Sequence, residues 1–233
     1  MGHKNKKRLF RLCRTCFRFF TRRYHVSSGY TEPAVYVVHH QNMKGPVTCM
    51  AWMDMPLIPW VLHVFCDKRA CFRQYYDYTF TRRFGLPKAV AAIIVLPLSS
   101  FVSRLMKSMQ AIPVFRGSIN IIKTFRLSFS ALNKGKSLLI CPDIDYASTD
   151  TAMGQMYDGF LNLEKYYFRE KGRHLGFIPL HISDRDSCIY AGKTVYFNNC
   201  GDFRTEKSKV YDRIRREFLR LESQDMQDAS EQE

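Results

Sequence analysis

The chain has 233 residues, of which 46% are hydrophobic and 14% aromatic, and this is enough to bury the core of one sizeable domain. Its formal net charge of +15 predicts a polyanionic partner, either a nucleic acid or an anionic bilayer. The eight cysteines lack the spacing of a zinc site or a disulfide framework, and no apolar run reaches the roughly 18 residues of a membrane-spanning helix.

The positive charge is concentrated in residues 1–24, which contain nine lysines and arginines and no acidic residue. Over residues 8–24 the basic residues alternate with leucines and phenylalanines, a pattern typical of an amphipathic helix that lies on a membrane surface. A nucleic-acid-binding arm is the alternative interpretation. We predict a basic, membrane-binding leader over residues 1–29.

After the leader, the pattern of apolar residues alternates between strands and helices. Strands are predicted at 34–40, 60–65, 111–116, 137–141, 175–182 and 189–198. Helices are predicted at 46–53, 68–84, 88–108, 118–133, 159–171 and 205–222. This alternation predicts one α/β domain over residues 30–222, with a mixed, mostly parallel sheet flanked by helices, followed by a disordered acidic tail at 223–233.

Three further features refine these elements. Asp67 is expected to cap the helix at 68–84. The apolar helix at 88–108 is interrupted by Pro97 and two serines, which favours a core helix or a shallow interfacial insertion. The last predicted helix carries a core face at helical spacing, made of Val210, Ile214, Phe218 and Leu221.

Polar and charged residues follow the carboxyl ends of three predicted strands. His39 and His40 follow the first strand, Arg116 ends the third, and Asp143 follows the fourth. Ligands bind at the carboxyl ends of strands in α/β sheets, so these residues mark a candidate site. Imidazole suits proton transfer near neutral pH, and one of the two histidines is therefore a candidate catalytic base. One structural and one solvated histidine is the alternative interpretation.

The order and spacing of these residues resemble the glycerophospholipid acyltransferase superfamily, of the 1-acyl-glycerol-3-phosphate acyltransferase type, over residues 30–200. Residues 39–45, His-His-Gln-Asn-Met-Lys-Gly, correspond to the family's Asn-His-x4-Asp block, and residues 112–116, Ile-Pro-Val-Phe-Arg, to its second block. Residues 139–145, Leu-Ile-Cys-Pro-Asp-Ile-Asp, correspond to the Pro-Glu-Gly-Thr block, and residues 177–180, Phe-Ile-Pro-Leu, to the fourth block.

The resemblance implies that His40 is the general base. It implies substrate contacts for four further residues, with a phosphate or another anionic group on the arginine: His39, Arg116, Gly117 and Pro142. For the arginine, a surface ion pair is the alternative interpretation.

The resemblance also shows a departure from the family. The aspartate that orients the base in the family falls on Gly45 here. Our hypothesis is that Asp143 or Asp145 replaces it from the neighbouring strand end and so belongs to the catalytic group. A helix cap or a turn is the alternative interpretation of both aspartates.

The resemblance implies a glycerol-3-phosphate acyltransferase-like fold and transfer of a fatty acyl group from acyl-CoA or acyl carrier protein to a lyso-phospholipid or another glycerolipid-type acceptor. It implies neither a metal nor a cofactor. We expect an anionic membrane surface and no nucleic acid as partner, which places the protein in the cytoplasm, peripheral on the inner face of the cell membrane.

Three alternatives remain open, one of which is a nucleic-acid binder driven by the net charge of +15. The first of the other two is a catalytically inactive, lipid-binding relative of the same fold. The second comes from the His-His-x3-Asp-Gly pattern of chloramphenicol acetyltransferases and condensation domains, which the same stretch resembles with Lys44 in place of the aspartate. Both of the families concerned transfer acyl groups with a histidine base.

Overall fold

The computed structural model describes residues 7–27, 33–145, 150, 152–198 and 201–230, with side chains up to residue 227. It divides into two compact units. The first unit consists of Met1–Cys16 and Ile58–Arg126, and the second of Phe17–Leu57 and Leu127–Glu233. This division differs from the predicted leader and single domain, because its first boundary falls inside the N-terminal helix.

The strands alternate with helices, as predicted for the α/β class. In chain order the strands are β1 (His25–Val26), β2 (Val35–Val38), β3 (Leu57–Leu62), β4 (Ile112–Val114), β5 (Ser137–Ile140), β6 (Phe177–Ser183) and β7 (Cys188–Ala191). The α-helices are α1 (Arg8–Phe20), α2 (Lys44–Trp52), α3 (Lys68–Arg73), α4 (Lys88–Met109), α5 (Ile121–Asn133), α6 (Leu163–Lys171) and α7 (Phe203–Ser230). The mixed, mostly parallel strand arrangement with flanking helices is confirmed.

The second unit is organised around β2. Its strands follow the order β1-β7-β6-β2-β5, and β2 runs parallel to both of its neighbours. β7 is antiparallel to β6, and β1 is parallel to β7. All residues of β2 and β5 are buried, as expected for parallel strands with both faces covered. The carboxyl ends of β2, β5 and β6 therefore lie at the same edge.

In the first unit, β3 and β4 form a parallel pair in which Trp60 lies opposite Ile112. The strand predicted at 60–65 begins and ends three residues earlier than expected, and His63–Cys66 forms a 3-10 turn instead. The ring of His63 lies against β4, with Nδ1 3.2 Å from the Val114 carbonyl oxygen. This contact fixes the turn beside the strand pair.

The predicted helix over 68–84 is split into two kinds of helix. Asp67 caps it as expected, since its carboxylate accepts a hydrogen bond from the Ala70 amide at 2.9 Å. After α3, the chain continues as a π-helix over Gln74–Arg83. A change in backbone hydrogen bonding of this kind is not visible in the apolar pattern.

Helix α4 continues through Pro97 for 22 residues. Its serines do not interrupt it, because they bond inside the helix: the Ser99 hydroxyl donates to the Leu96 carbonyl at 3.1 Å. By length and composition alone it is long and apolar enough to cross a membrane. Of its most apolar stretch of 18 residues, 22% is buried. The helix predicted at 88–108 therefore has nearly the observed bounds, and Pro97 does not end it.

Helix α7 packs through the face predicted for it, since its four core residues are all buried: Val210, Ile214, Phe218 and Leu221. The helix extends to Ser230, so the predicted disorder from residue 223 does not hold for 223–230, and 231–233 lie outside the described residues. The last turns are fixed by Asp225, which accepts hydrogen bonds from the end of β6. His181 Nε2 lies 3.0 Å and the Ser183 hydroxyl 2.6 Å from its carboxylate.

The strand predicted at 189–198 is shorter than expected. β7 ends at Ala191, and beyond it Val195 forms an isolated antiparallel bridge with Phe177. The side chain of Val195 is buried, so its apolar character reflects packing beside β6 and not a continuous strand.

We predict that Ile214→Ala lowers the free energy of unfolding by about 2–5 kcal/mol, because Ile214 is fully buried and its removal leaves a cavity. Urea denaturation of the full chain measures this. Leu219 lies on the same helix and is 47% exposed, so Leu219→Ala should change stability by less than about 0.5 kcal/mol. Equal losses in the two variants would show that α7 does not pack as described.

Candidate functional site

The candidate site lies where β2 and β5 end side by side. His39 and His40 directly follow β2, and Asp143 lies three residues after β5. The two strands are parallel neighbours, with Val37 opposite Ile140, so the residues that follow them meet at one edge of the sheet. The structure thus brings one predicted aspartate and both histidines together within the second unit.

The Asp143 carboxylate binds both histidines, but in different ways. Its Oδ1 lies in a short contact with Nδ1 of the His39 ring. Its Oδ2 accepts a hydrogen bond from the His40 backbone amide at 3.1 Å. An ionised carboxylate only accepts hydrogen bonds, so the proton of the ring contact belongs to His39 Nδ1. Asp143 therefore fixes the orientation of the His39 imidazole.

This pair is buried: His39 is 7% exposed and Asp143 is 4% exposed. Burying a carboxylate is costly unless hydrogen bonds and an opposite charge compensate for the lost water. Asp143 has both the His39 ring and the His40 amide as donors. The buried carboxylate and the ring that donates to it therefore stabilise each other.

The second ring nitrogen of His39 faces a backbone oxygen. Nε2 lies 3.1 Å from the Asp150 carbonyl, which also accepts a hydrogen bond from the Gln41 side-chain amide at 3.1 Å. Both ring nitrogens of His39 therefore have an oxygen acceptor within hydrogen-bond distance.

The predicted base, His40, has a different environment from His39. Its ring Nδ1 accepts a hydrogen bond from the Met43 amide at 3.2 Å, so in the neutral ring the proton lies on Nε2. Asp143, one of the two aspartates predicted to orient the His40 ring, instead contacts the ring of His39. At His40 it reaches the backbone amide.

The histidines are followed by a backbone turn in an unusual conformation. Gln41, Asn42 and Met43 all have positive φ, at 42°, 47° and 80°. Only asparagine among these three tolerates the left-handed region well, so the turn stores conformational energy. It is held by the Lys44 and Gly45 amides, which donate to the carbonyls of Gln41 and His40. The turn reverses the chain directly into α2.

Sterics exclude a side chain at Gly45, the position that the sequence resemblance aligns with an aspartate. A Cβ atom added at Gly45 would lie 1.8 Å from the His39 carbonyl oxygen, well inside the contact limit. No residue with a side chain fits at this position without movement of the backbone. The backbone therefore leaves no room for a carboxylate at position 45, and the carboxylate that contacts His39 comes from Asp143.

The other predicted site residues are divided between the two units. Pro142 is buried, and its carbonyl accepts a hydrogen bond from the Tyr157 amide at 2.7 Å. Asp145 is exposed, two residues beyond Asp143. Arg116 and Gly117 follow β4 in the first unit, where both are exposed and Gly117 has a φ of 66°. The contacts that fix His39 all come from the second unit.

The sequence did not reveal a second imidazole–carboxylate pair near His39. A cavity of about 10 Å³, room for one water at most, is lined by His39, Gln41, His181 and Glu222 together with apolar side chains. His181 is held by Asp225, in the segment predicted to be disordered. The apolar strand around Pro179 signalled β6, but nothing in the sequence linked it to the end of α7.

The cysteines near the site are unsuited to be nucleophiles. Burial, together with the neighbouring Asp143 and Cys49, raises the pKa of the Cys141 thiol well above its ordinary value. Burial also raises the pKa of the Cys49 thiol. Since the thiolate is the reactive form, both residues remain unreactive near neutral pH.

No group of three or more His, Cys, Asp or Glu side chains that could hold a metal ion occurs in the described part of the chain. No protein-family model, curated protein or solved structure matches this chain. The interpretation of the site therefore depends on its geometry.

We predict that Gly45→Asp lowers the free energy of unfolding by about 2–3 kcal/mol through the clash with the His39 carbonyl. Chemical denaturation monitored by circular dichroism measures the loss. Gly159 has no atom within 4 Å of an added Cβ, so Gly159→Ala should stay within about 1 kcal/mol of the wild type. A Gly45→Asp variant of unchanged stability would contradict the described turn.

Proposed function

We propose that this protein is an acyltransferase that moves a fatty acyl group from acyl-CoA or acyl carrier protein to a hydroxyl of a lyso-phospholipid or another glycerolipid-type acceptor. The observation that carries the proposal is the buried His39–Asp143 pair at the ends of two parallel strands. An imidazole oriented by a carboxylate is the arrangement that a general base requires. The resemblance of the sequence blocks supplies the reaction class.

In the proposed reaction, His39 takes the role that the sequence blocks gave to His40. The acceptor hydroxyl donates its proton to His39 Nε2 while its oxygen attacks the thioester carbonyl carbon. A C–O bond forms, the C–S bond breaks, and the departing thiolate receives the proton back from the imidazolium. Asp143 is a positioning residue, because it holds Nδ1 and stabilises the positive charge on the ring without touching the substrate.

This reaction requires a change at Asp150. Its carbonyl lies 3.1 Å from His39 Nε2, in the place that the acceptor hydroxyl has to occupy. In the neutral ring, Nε2 and the Asp150 carbonyl oxygen are both acceptors, so they form no hydrogen bond with each other. An acceptor hydroxyl that donates to Nε2 and displaces this carbonyl therefore gains a hydrogen bond, which couples substrate binding to the displacement.

Direct transfer fits the residues around the base better than a covalent intermediate. The raised pKa of the Cys141 thiol leaves no thiolate near Asp143 at neutral pH. A thioester is already activated, so holding the hydroxyl and the carbonyl carbon in contact supplies much of the rate acceleration. The chain then needs a base, an orienting acid and a binding surface.

Exposed apolar residues support attachment to a membrane, where lyso-lipids are found. α4 exposes Ile93 at 75%, Leu96 at 58% and Phe101 at 46%, among others. Several large apolar side chains exposed on one helix are a feature of interaction sites. α1 exposes Phe19 and Phe20 on a basic helix with no buried residue, which is the composition that binds anionic lipid. We therefore place the protein peripherally on the cytoplasmic face of the cell membrane.

A second candidate function is lipid binding without catalysis. It is favoured by two observations: the cavity beside His39 measures about 10 Å³, and a backbone carbonyl faces the basic nitrogen. An inactive relative would keep the His39–Asp143 pair as a structural contact. The two functions differ in whether acyl transfer can be measured.

We predict that His39→Ala lowers kcat/KM for acyl transfer by about 100-fold or more, because it removes the base. Asp143→Asn should have an effect of similar size, since the amide no longer stabilises the imidazolium. The measurement is mass spectrometry of lipid products after incubation with acyl-CoA or acyl carrier protein and lyso-lipids.

Two matched variants are the controls. Asp145→Asn changes the exposed aspartate two residues away and should leave the activity near that of the wild type. His40→Ala should reduce activity far less than His39→Ala, because its ring serves the turn at Met43. A larger loss in His40→Ala than in His39→Ala would overturn the assignment of the base. A wild type without transfer from any donor would favour the lipid-binding function.

We predict that Ile93→Glu weakens binding to vesicles of anionic phospholipid by about tenfold, because it places a charge on the most exposed apolar residue of α4. Co-sedimentation with vesicles measures the bound fraction. Leu219→Glu introduces the same charge at an exposed leucine of α7 and should bind as the wild type does. Equal binding by both variants and the wild type would exclude α4 from the membrane contact.

A further inference from the structure

A cleft in the second unit lies beside the segment that carries Asp143, and the proposed reaction gives it no role. Its volume is about 530 Å³. This size lies within the range of about 300–1,000 Å³ that is typical of sites for small organic ligands. Its lining residues come from two segments, one before the 3-10 turn Asp158–Asn162 and one at the start of α7: Met156, Tyr157, Asp158, Arg204, Lys207, Ser208 and Tyr211.

The charged groups of the cleft favour an anion. Arg204 and Lys207 supply two cations, and Asp158 supplies one carboxylate. The Lys207 ammonium lies 2.8 Å from the Asp158 carboxylate, but the aspartate side chain is 59% exposed while that of Lys207 is 16% exposed. Because Asp158 is the solvent-facing member, a bound phosphate can take its place on the lysine. Within the described residues, the Arg204 guanidinium makes no ion pair.

The aromatic groups of the cleft suit a planar ring. Tyr157 is 46% exposed. The Tyr211 hydroxyl accepts a hydrogen bond from the Met156 amide at 3.1 Å, which fixes that wall of the cleft. Two cations beside an exposed tyrosine form a combination suited to a nucleotide, since cations contact phosphates and an aromatic face stacks on a base. A hydrocarbon chain is unfavourable in this cleft, because it would cover charged side chains without forming hydrogen bonds to them.

The cleft is directly connected to the candidate active site. Met156 forms an antiparallel bridge with Asp143, and the Tyr157 amide donates to the Pro142 carbonyl at 2.7 Å. A ligand in the cleft therefore lies against the segment that supports the carboxylate of the proposed catalytic pair.

We infer that this cleft binds the phosphorylated nucleotide end of a coenzyme A donor, with its phosphates on Arg204 and Lys207 and its base on Tyr157. The inference rests on the proposed function, which needs an acyl thioester, and it deepens that function by selecting acyl-CoA over acyl carrier protein. The carrier protein presents its thioester on a phosphopantetheine arm without a nucleotide, so it lacks the part that this cleft fits.

Isothermal titration calorimetry of the full chain with free coenzyme A tests the inference. Arg204→Gln and Lys207→Gln should each weaken binding by about tenfold, because each loses a charged hydrogen bond to phosphate. Lys209→Gln removes an exposed lysine of the same helix outside the cleft and should bind as the wild type does. Pantetheine, which lacks every phosphate, should show no saturable binding.

The variant Asp158→Asn separates binding from structure. It breaks the same ion pair as Lys207→Gln but removes a negative charge, so it should bind coenzyme A at least as tightly as the wild type. Equal weakening in Asp158→Asn and Lys207→Gln would mean that the ion pair acts structurally and would overturn the inference. It is also overturned by a wild type that does not bind coenzyme A, or that binds pantetheine or glycerol 3-phosphate equally well.

The binding measurement is independent of turnover, so this inference and the proposed function can fail separately. Asp143→Asn should bind coenzyme A as the wild type does while losing acyl transfer. If coenzyme A binding depends on Arg204 and Lys207 but the protein has no transferase activity, the cleft is supported and the proposed function is refuted. If Arg204→Gln and Lys207→Gln keep both acyl transfer and the wild-type affinity for coenzyme A, only the inference about the cleft is refuted.

Discussion

The contact between the His39 ring and the Asp143 carboxylate is the interaction on which this account depends. Two parallel strands, β2 and β5, bring the residues together from positions 104 apart in the chain. Both residues are buried, so neither is stable there without the other. The same carboxylate accepts the His40 amide, and this ties the start of the turn to the ring that the pair orients.

Steric constraints limit which residues can lie at the end of β2. The turn after His40 uses three left-handed residues and brings Gly45 so close to the His39 carbonyl that a side chain cannot fit. A carboxylate therefore cannot be placed at position 45 without movement of the backbone. The carboxylate that contacts the His39 ring is that of Asp143, and the adjoining residues 156 and 157 connect it to the charged cleft at the start of α7.

Much of the fold was predictable, because apolar runs such as 35–38 and 137–140 report burial on both faces of a sheet. The approach of Asp143, after β5, to the histidines after β2 was also predictable, from the order of motifs. That its ring contact is with His39 was not, since the sequence does not show which of two adjacent rings a neighbouring segment reaches. The role of Asp225 was hidden as well, because its partners, His181 and Ser183, lie more than 40 residues away in the sequence.

The measurement that tests the central claim most directly is a double-mutant cycle on kcat/KM for acyl transfer with His39→Ala, Asp143→Ala and the combined variant. If Asp143 acts only through the His39 ring, the double variant should be no slower than His39→Ala alone, because the acid has nothing left to orient. Losses that multiply in the double variant would show that the two residues act independently, and they would contradict the account.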